Sequence, residues 1–496
     1  MGFMQGLDRH QLYMAASLED SIATNNPVRI IDYLVDTLDL KKLGFLNAVP
    51  TALGRPACHG RPAYSANDLL KLYLYGYQQG IRSSRKLENE LGRNTELRWL
   101  LGGLRPDHKT IAEFRRKNPK SFQKAFREFV AMLDSWDLLG KETFALDGSK
   151  IKASNNKKQN FSKKKLKERS NRIDEKIMSF VHELEDNDQR EDQAPVVNVQ
   201  ETIERLKKRK EQYEGYLKAI ESSGENEISL VDPDARLMGN NRGGVEMSYN
   251  VQSAVDEKHC LVVETNVTNN PSDHGQLSIM GKRIRKRLKI RNFTLIADKG
   301  YYNGLDLKRC KKHKITTIVA RQKTGKEAPD KDYNNDKFIY DKKNDSYTCP
   351  AGEILSRSGA KGKKEYKNQN ACRICPHKDK CTTAIYKRLI LSNYQAIFEE
   401  TDKRTAAKKE LYKKRQMMVE HPFGTIKHTM NGHYFLLRTL KKVRGEVALL
   451  FFAYNLKRVQ NILGFEGIME RLGAYPLRFS LYIAKSATFP AFATAI

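Results

Sequence analysis

The feature that most constrains this chain is a short apolar run that closes on an aspartate. It reads Phe144-Ala145-Leu146-Asp147-Gly148-Ser149-Lys150-Ile151-Lys152 and passes at once into a basic, Asn-rich segment. A short apolar run bounded by turn residues reads as a strand that delivers the acid at its end. The design recurs at Phe293-Thr294-Leu295-Ile296-Ala297-Asp298-Lys299-Gly300-Tyr301-Tyr302. Two strands that each present a carboxylate beside a glycine look like halves of one site. A third acid, Glu420, lies in Arg415 to Lys427, which reads as helix.

Composition narrows the partner. With 496 residues there is room for about three domains. Lysine and arginine number 89 against 59 acids, a formal charge of +30 that favours a polyanion and hence nucleic acid. No run of about 18 apolar residues occurs, and Met1-Gly-Phe-Met-Gln lacks a basic segment followed by an apolar core, so neither a membrane span nor a secretory signal is expected. The expected place of action is the cytoplasm, at the nucleoid. Seven cysteines are odd in number and four cluster between Cys349 and Cys381, which favours metal binding over a disulfide framework.

Along the chain, residues 1–140 predict an all-α domain. Ile30, Ile31, Leu34, Val35 and Leu38 recur at helical steps, as do Leu69 to Tyr77 after the start signal Ser65-Ala-Asn-Asp, and a third helix is expected from His108 to Met132. These stripes read as core. Basic positions lie between them, and Thr110 to Lys117, with Arg115 and Arg116, is the first helix to suspect of touching DNA. Residues 157–228 predict an antiparallel helical hairpin: one stripe holds Ile173, Ile177, Phe180, Val181 and Leu184, the other Ile203, Leu206, Tyr213, Leu217 and Ile220, with Lys210 at the missing seam position and an acidic turn from Glu185 to Pro195. Strands follow at Met247–Val255 and Leu261–Val267, then helix, strand, helix, strand up to Val319. Residues 322–400 form a basic Cys-rich insertion, and residues 464–496 give no functional signal.

Asp-Gly-Ser after the first strand, Asp-Lys-Gly-Tyr-Tyr after the second and Val-Glu-His-Pro-Phe-Gly-Thr-Ile-Lys around Glu420 together resemble the DDE transposases of bacterial insertion sequences, over roughly Tyr64 to Leu463. The resemblance implies an α/β fold: an RNase H-like mixed sheet flanked by helices within residues 141–463, behind a helical N-terminal domain that grips the transposon end or dimerises. It implies double-stranded DNA as substrate, with a homodimer or higher oligomer on paired ends, and Asp147, Asp298 and Glu420 as the catalytic acids. Phosphodiester chemistry needs an activated oxygen nucleophile and stabilised charge, which two Mg²⁺ (or Mn²⁺) ions supply, and hard cations take carboxylate ligands. Asp-Gly is equally a turn signal, and Asp298 could be a helix-capping acid.

Relatives place Tyr, Arg, Glu and Lys in fixed steps along the last helix. Here Tyr412, Arg415, Glu420 and Lys427 keep the Glu-to-Lys step, but the Arg-to-Glu step is one residue longer, which turns Arg415 by roughly 100° about the helix axis. Lys427 is the better phosphate contact, with Lys150, Lys152 and Lys299 beside the two aspartates. Pro422 predicts a kink or a restart of the helix directly after Glu420. Among other acids, Asp232 and Asp234 read as a turn that approaches the site, Asp273 as an N-cap and Asp256 as a hairpin tip. Cys349, Cys372, Cys375 and Cys381, with 22, 2 and 5 residues between them, suit a tetrahedral structural zinc, with Ser356 to Lys367 as a DNA-facing loop. Cys58, Cys260 and Cys310 read as incidental. The function expected is end binding, cleavage and transfer of the 3′-hydroxyl strand. The alternatives are an inactive or domesticated DNA-binding relative, and an RNase H-like nuclease without strand transfer.

Overall fold

The computed structural model describes residues 17–48, 63–188, 197–224, 227–239, 243–321, 328–358 and 364–474. They fall into two compact units, one drawn from residues 1–140, 148–272 and 418–496, the other from 141–147 and 273–417.

The first unit begins with helices Val28–Asp36, Ala66–Gln78, Ser84–Arg93, His108–Lys117 and Pro119–Ser135. Their starts are chemically marked. Ser65 accepts from the Asp68 amide, Asp107 from the Thr110 amide, and Pro119 opens its helix where no amide partner is needed. Phe45, Tyr73, Phe114 and Phe122 interlock at centroid distances of 5.5 to 6.2 Å, so the expected apolar stripes are indeed core.

The helix Leu440–Ala474 is buried on nearly every side from Gly445 to Leu456. Phe452 stacks on Phe129 at 4.7 Å. At Gly445 a Cβ would stand 2.5 Å from the Pro119 Cα, so only glycine allows this helix crossing. The buried Asn455 amide accepts from the Val262 N–H and donates to the Val262 carbonyl, satisfying the backbone groups of that residue at the start of its strand. Helical backbone resumes past Gly464, and Ile468 and Leu472 are buried, so part of the C-terminal segment packs as core; residues 475–496 lie outside the described residues.

The sheet of this unit is antiparallel. Arg236–Gly239 pairs with Val245–Asp256, which pairs with Val262–Thr268 and hydrogen-bonds to the Thr143–Lys152 strand. The short Arg236–Gly239 strand has too few apolar residues to stand out in the sequence. The helical hairpin is present as Lys163–Asp188 and Val197–Ser223, on a two-stranded base of Asn160–Ser162 and Glu227–Ser229. Phe161, Leu166, Ile173, Tyr213 and Ile220 form its core. Lys210, the polar residue in the seam, pairs with Asp174 at 2.6 Å. Residues 189–195 of the expected turn lie outside the described residues.

In the second unit the start of Thr143–Lys152 pairs in parallel with Phe293–Ala297, and that strand with Ile315–Val319. The crossovers are helices Gln276–Leu288 and Gly304–Lys312, as parallel strands require. The insertion is a five-stranded antiparallel sheet in the order Arg388–Leu391, Lys364–Lys367, Ile354–Arg357, Ser346–Thr348, Ile339–Asp341. Here Ser356 to Lys367 differs from expectation: Ser356 pairs with Lys367 and Arg357 with Tyr366, so its two ends are strand rather than loop. Tyr366, 1% exposed, draws the segment into a small core.

Candidate active site

Parallel pairing sets Thr143 opposite Thr294, Phe144 opposite Leu295 and Ala145 opposite Ile296. The paired positions end there, and each strand leads two residues farther on to an aspartate, Asp147 on one and Asp298 on the other. Buried Phe144, Ala145 and Leu146 on one strand and Leu295, Ile296 and Ala297 on the other anchor the approach, and both aspartates emerge half-buried. Asp147 does not end its strand. Pairing carries the chain through Asp-Gly to Lys152, whose N–H donates to the His433 carbonyl and whose carbonyl accepts from Phe435 N–H at 2.8 Å, and this ladder overrides the local turn signal.

Asp298 caps a short turn, Lys299–Tyr301, accepting the Gly300 N–H through Oδ1 at 2.9 Å. The capping geometry is therefore real, and it occupies one carboxylate oxygen. A Cβ on Gly300 would lie 3.1 Å from Asp298 Oδ1 and 3.7 Å from Asp273 Oδ2, so the glycine separates two carboxylates. Asp273 is not the N-cap that its position suggests. The cap is instead Gly275, at φ +86, without a side-chain bond, and the Asp273 carboxylate faces the Asp298 turn. The sequence signal that could have shown this is Gly275 itself, two residues after the acid.

The motif's tyrosines serve the frame: Tyr301 is fully buried, and Tyr302 stacks on Phe398 at 5.0 Å and donates to Asp402 at 2.8 Å. Tyr412 stands near enough to feel Asp298. Burial pushes its hydroxyl up, against the opposing pull of Arg415, to which it is hydrogen-bonded. Arg415 Nε is buried without a hydrogen-bond partner among the described residues, a donor left over in this neighbourhood.

Glu420 belongs to the first unit, on helix Lys409–Gly424. Met418, Val419, Pro422 and Phe423 are buried while Glu420 is exposed, so packing turns the acid outward. The helix is not interrupted directly after Glu420. The helix continues through Pro422 and widens into a π-turn, Thr425–Thr429, where the displaced backbone bonding is absorbed. Beside Glu420, His421 Nδ1 is 2.8 Å from the Tyr454 hydroxyl, and burial followed by Arg458 lowers the imidazole pKa, favouring the neutral ring. From the π-turn, Lys427 Nζ donates to Ser149 Oγ at 2.6 Å.

The segment after that turn is pinned. Arg82 donates to the carbonyls of Asn431 and Tyr434 and to Glu446 Oε1 at 2.6 Å, with side chains 1% and 0% exposed. Glu446 in turn accepts from the amides of Leu436 and Leu437. Burial commits Arg82 to this frame, and Arg115, on the helix suspected of touching DNA, is buried as well. Arg115 is 5% exposed and donates to Tyr77 and the Arg82 carbonyl. Arg116 is exposed and paired with Glu113, Lys152 pairs with Glu246 at 3.1 Å, and Lys150 and Lys299 are exposed. Asp232 and Asp234 are helix anchors: Asp232 accepts from Tyr249 and the Thr439 amide, Asp234 from the Leu440 amide at the start of the long helix. Asp256 is fully buried and accepts from the Gly140 and Lys258 amides.

Carboxylates suit a hard divalent ion, and the residues available in one unit are Asp147 and Asp298, with Asp273 close by. Among the described residues, no group of three or more His, Cys, Asp or Glu side chains stands ready-made around an ion. No helix among them is long and apolar enough to cross a membrane.

Residues 16–117 match the family model described as "Transposase domain (DUF772)", and residues 223–456 match "Transposase DDE domain". The second match contains Asp298 and Glu420; Asp147 lies before it. Among solved structures, the chain is similar to a piggyBac transposase synaptic complex with hairpin DNA, at 7% identity over 91% of this chain and 80% of that one, with a TM-score of 0.34, too low to carry an argument. No curated protein matches. The DDE model brings an RNase H-like fold, which the strand and helix order from Thr143 to Val319 bears out, and the two matches span both the helical and the catalytic segments: the chain belongs to the DDE transposases of insertion-sequence type, enzymes that cleave and transfer DNA.

Proposed function

We propose that this transposase binds the inverted ends of its own element as a dimer or higher oligomer at the nucleoid, cleaves the phosphodiester there, and joins the freed 3′-hydroxyl to target DNA. The observation that supports the reading is the parallel pairing of the two strands that lead into Asp147 and Asp298, because carboxylates presented from neighbouring rigid strands are what a site for divalent cations needs. Glu420 completes the set from the last catalytic helix. Mg²⁺ or Mn²⁺, bound by these three acids as a pair of ions, would activate the attacking oxygen and neutralise charge on the phosphate and the departing oxygen.

The chain's own residues do the rest. Lys427, seated on Ser149, offers an ammonium to a phosphate near the cut. Lys150 and Lys299, each exposed next to a catalytic strand end, extend the basic surface, and Lys152 stands beyond them with its Glu246 partner. Arg415 brings its unpartnered Nε to the Asp298 neighbourhood.

The reading is tested with the inverted repeats that flank the coding DNA. A duplex ending in the repeat, given with Mg²⁺ and a supercoiled target, should yield joined products. Cleavage without joining of pre-cut ends would reduce the protein to a nuclease, and binding without cleavage would make it an inactive relative.

A further inference from the structure

The insertion between residues 328 and 391 has little apolar material of its own. Among the described residues, Phe338, Leu355, Tyr366 and Leu389 form its buried cluster, with Tyr347, Leu391, Cys349 and Cys381 packed against them. A module with so few buried side chains needs a staple beyond the hydrophobic effect. Disulfides are not the staple: Cys349, Cys372, Cys375 and Cys381 are all free thiols.

These four thiols line one cavity of about 30 Å³. That is room for a single ion or water, and a largely apolar pocket offers water few partners. The backbone at Cys349 is folded for a ligand. Gly352, at φ +87, turns its N–H back to the Cys349 carbonyl, and the Glu353 amide donates to Cys349 Sγ at 3.3 Å. An amide aimed at a cysteine sulfur stabilises the thiolate and fixes its direction, as outer partners of metal ligands do. On the other side a short helix, Gln369–Ile374, started by the Asn368 cap on the Ala371 amide, brings Cys372 and Cys375 to the same wall. Lys378 and Lys387 line the cavity too, two cations beside a centre that carries a net charge of −2 when one divalent ion meets four thiolates.

We propose that Cys349, Cys372, Cys375 and Cys381 bind one structural zinc ion that holds the insertion together. The thiols stand around the cavity without yet closing on a common point, and rotation among their staggered χ1 wells is the movement that closes them. Each thiol gives up its proton to the buffer on ligation, and no electron is transferred. Four sulfurs fill a tetrahedral shell, so the ion has no open position for water and takes no part in cleavage.

The test uses the full-length chain without an affinity tag, produced in zinc-replete medium and purified without chelator. Elemental analysis should find close to one zinc per chain. Replacement by Co²⁺ should give an intense near-ultraviolet sulfur-to-cobalt band with tetrahedral visible bands. Cys375→Ser should lower zinc about tenfold, whereas Cys310→Ser and Asp298→Asn should leave it unchanged. Should Cys375→Ser fail to accumulate, mercurial titration of the wild-type thiols decides instead, releasing one zinc per chain. A wild-type zinc content near zero with no cobalt–thiolate band overturns the proposal. So does a full equivalent that survives Cys375→Ser or thiol titration.

Discussion

Lys427 reaches across to Ser149, two residues after Asp147 in sequence, and donates to its hydroxyl at 2.6 Å. The contact fixes the end of a flexible side chain that leaves a π-turn, and an ammonium held in place loses less entropy when a phosphate arrives. Lys427→Ala should lower end cleavage by roughly 10- to 100-fold, the worth of one charge-assisted contact. It should also flatten the salt dependence of DNA binding by about one unit of slope. Ser149→Ala, which removes the tether and keeps the charge, should cost only a few-fold. Unchanged slope and rate in Lys427→Ala would take this lysine away from the phosphate.

The Arg82–Glu446 pair is buried on both sides and joins residues 364 apart in sequence. Removing one partner leaves the other charged in the interior, so Arg82→Met or Glu446→Leu alone should destabilise the first unit by about 3–5 kcal/mol. The double replacement should recover much of that loss. Denaturant midpoints of the three variants check it, and additive losses in the double variant would contradict a coupled pair.

Asp232 supplies a pH signature. Burial raises its carboxyl pKa, against the hydrogen bonds from Thr439 and Tyr249 that lower it, and its Oδ2 has no hydrogen-bond partner among the described residues. A raised folded-state value means that protonation favours the fold. The contribution is complete below the unfolded value of 3.8 and is lost as pH rises through the folded value. Asp232→Asn keeps the acceptor for Tyr249 and Thr439 and abolishes the charge. Its stability relative to wild type should therefore be better at pH 7 than at pH 4, read as the difference in Tm. A difference that stays constant or grows on acidification would contradict this.

Much of the catalytic segment was legible because strands with apolar interiors announce themselves. Phe144 to Leu146 and Phe293 to Ala297 are buried runs that end on acids, and the alternation of strand and helix up to Val319 follows from turn signals. What escaped was non-local. Arg82 and Arg115 look like solvent-facing charges in a helical pattern, since nothing near them in sequence reveals Glu446 or the tyrosines that enclose them. The Asp147-Gly148 turn signal and the Pro422 break signal are both local; the first yields to the strand pairing that runs on to Lys152, and the second is taken up by a helix that runs on into a π-turn. Glu420 could be singled out only by resemblance, because an exposed acid on a helix has no pattern of its own.

The most direct measurement is Mg²⁺-dependent cleavage of a duplex bearing the element's end by the wild-type chain and by Asp147→Asn and Asp298→Asn, with binding to the same duplex measured alongside. Each substitution removes a carboxylate proposed to hold the metal and leaves every Lys and Arg in place, and metal stabilisation of the reacting phosphate is worth several kcal/mol. Cleavage should fall by roughly 100-fold or more in each variant and vanish with chelator, while end binding stays within a few-fold of wild type. Cleavage by Asp298→Asn at nearly the wild-type rate in Mg²⁺ would contradict the pairing of Asp147 and Asp298 as the catalytic metal site.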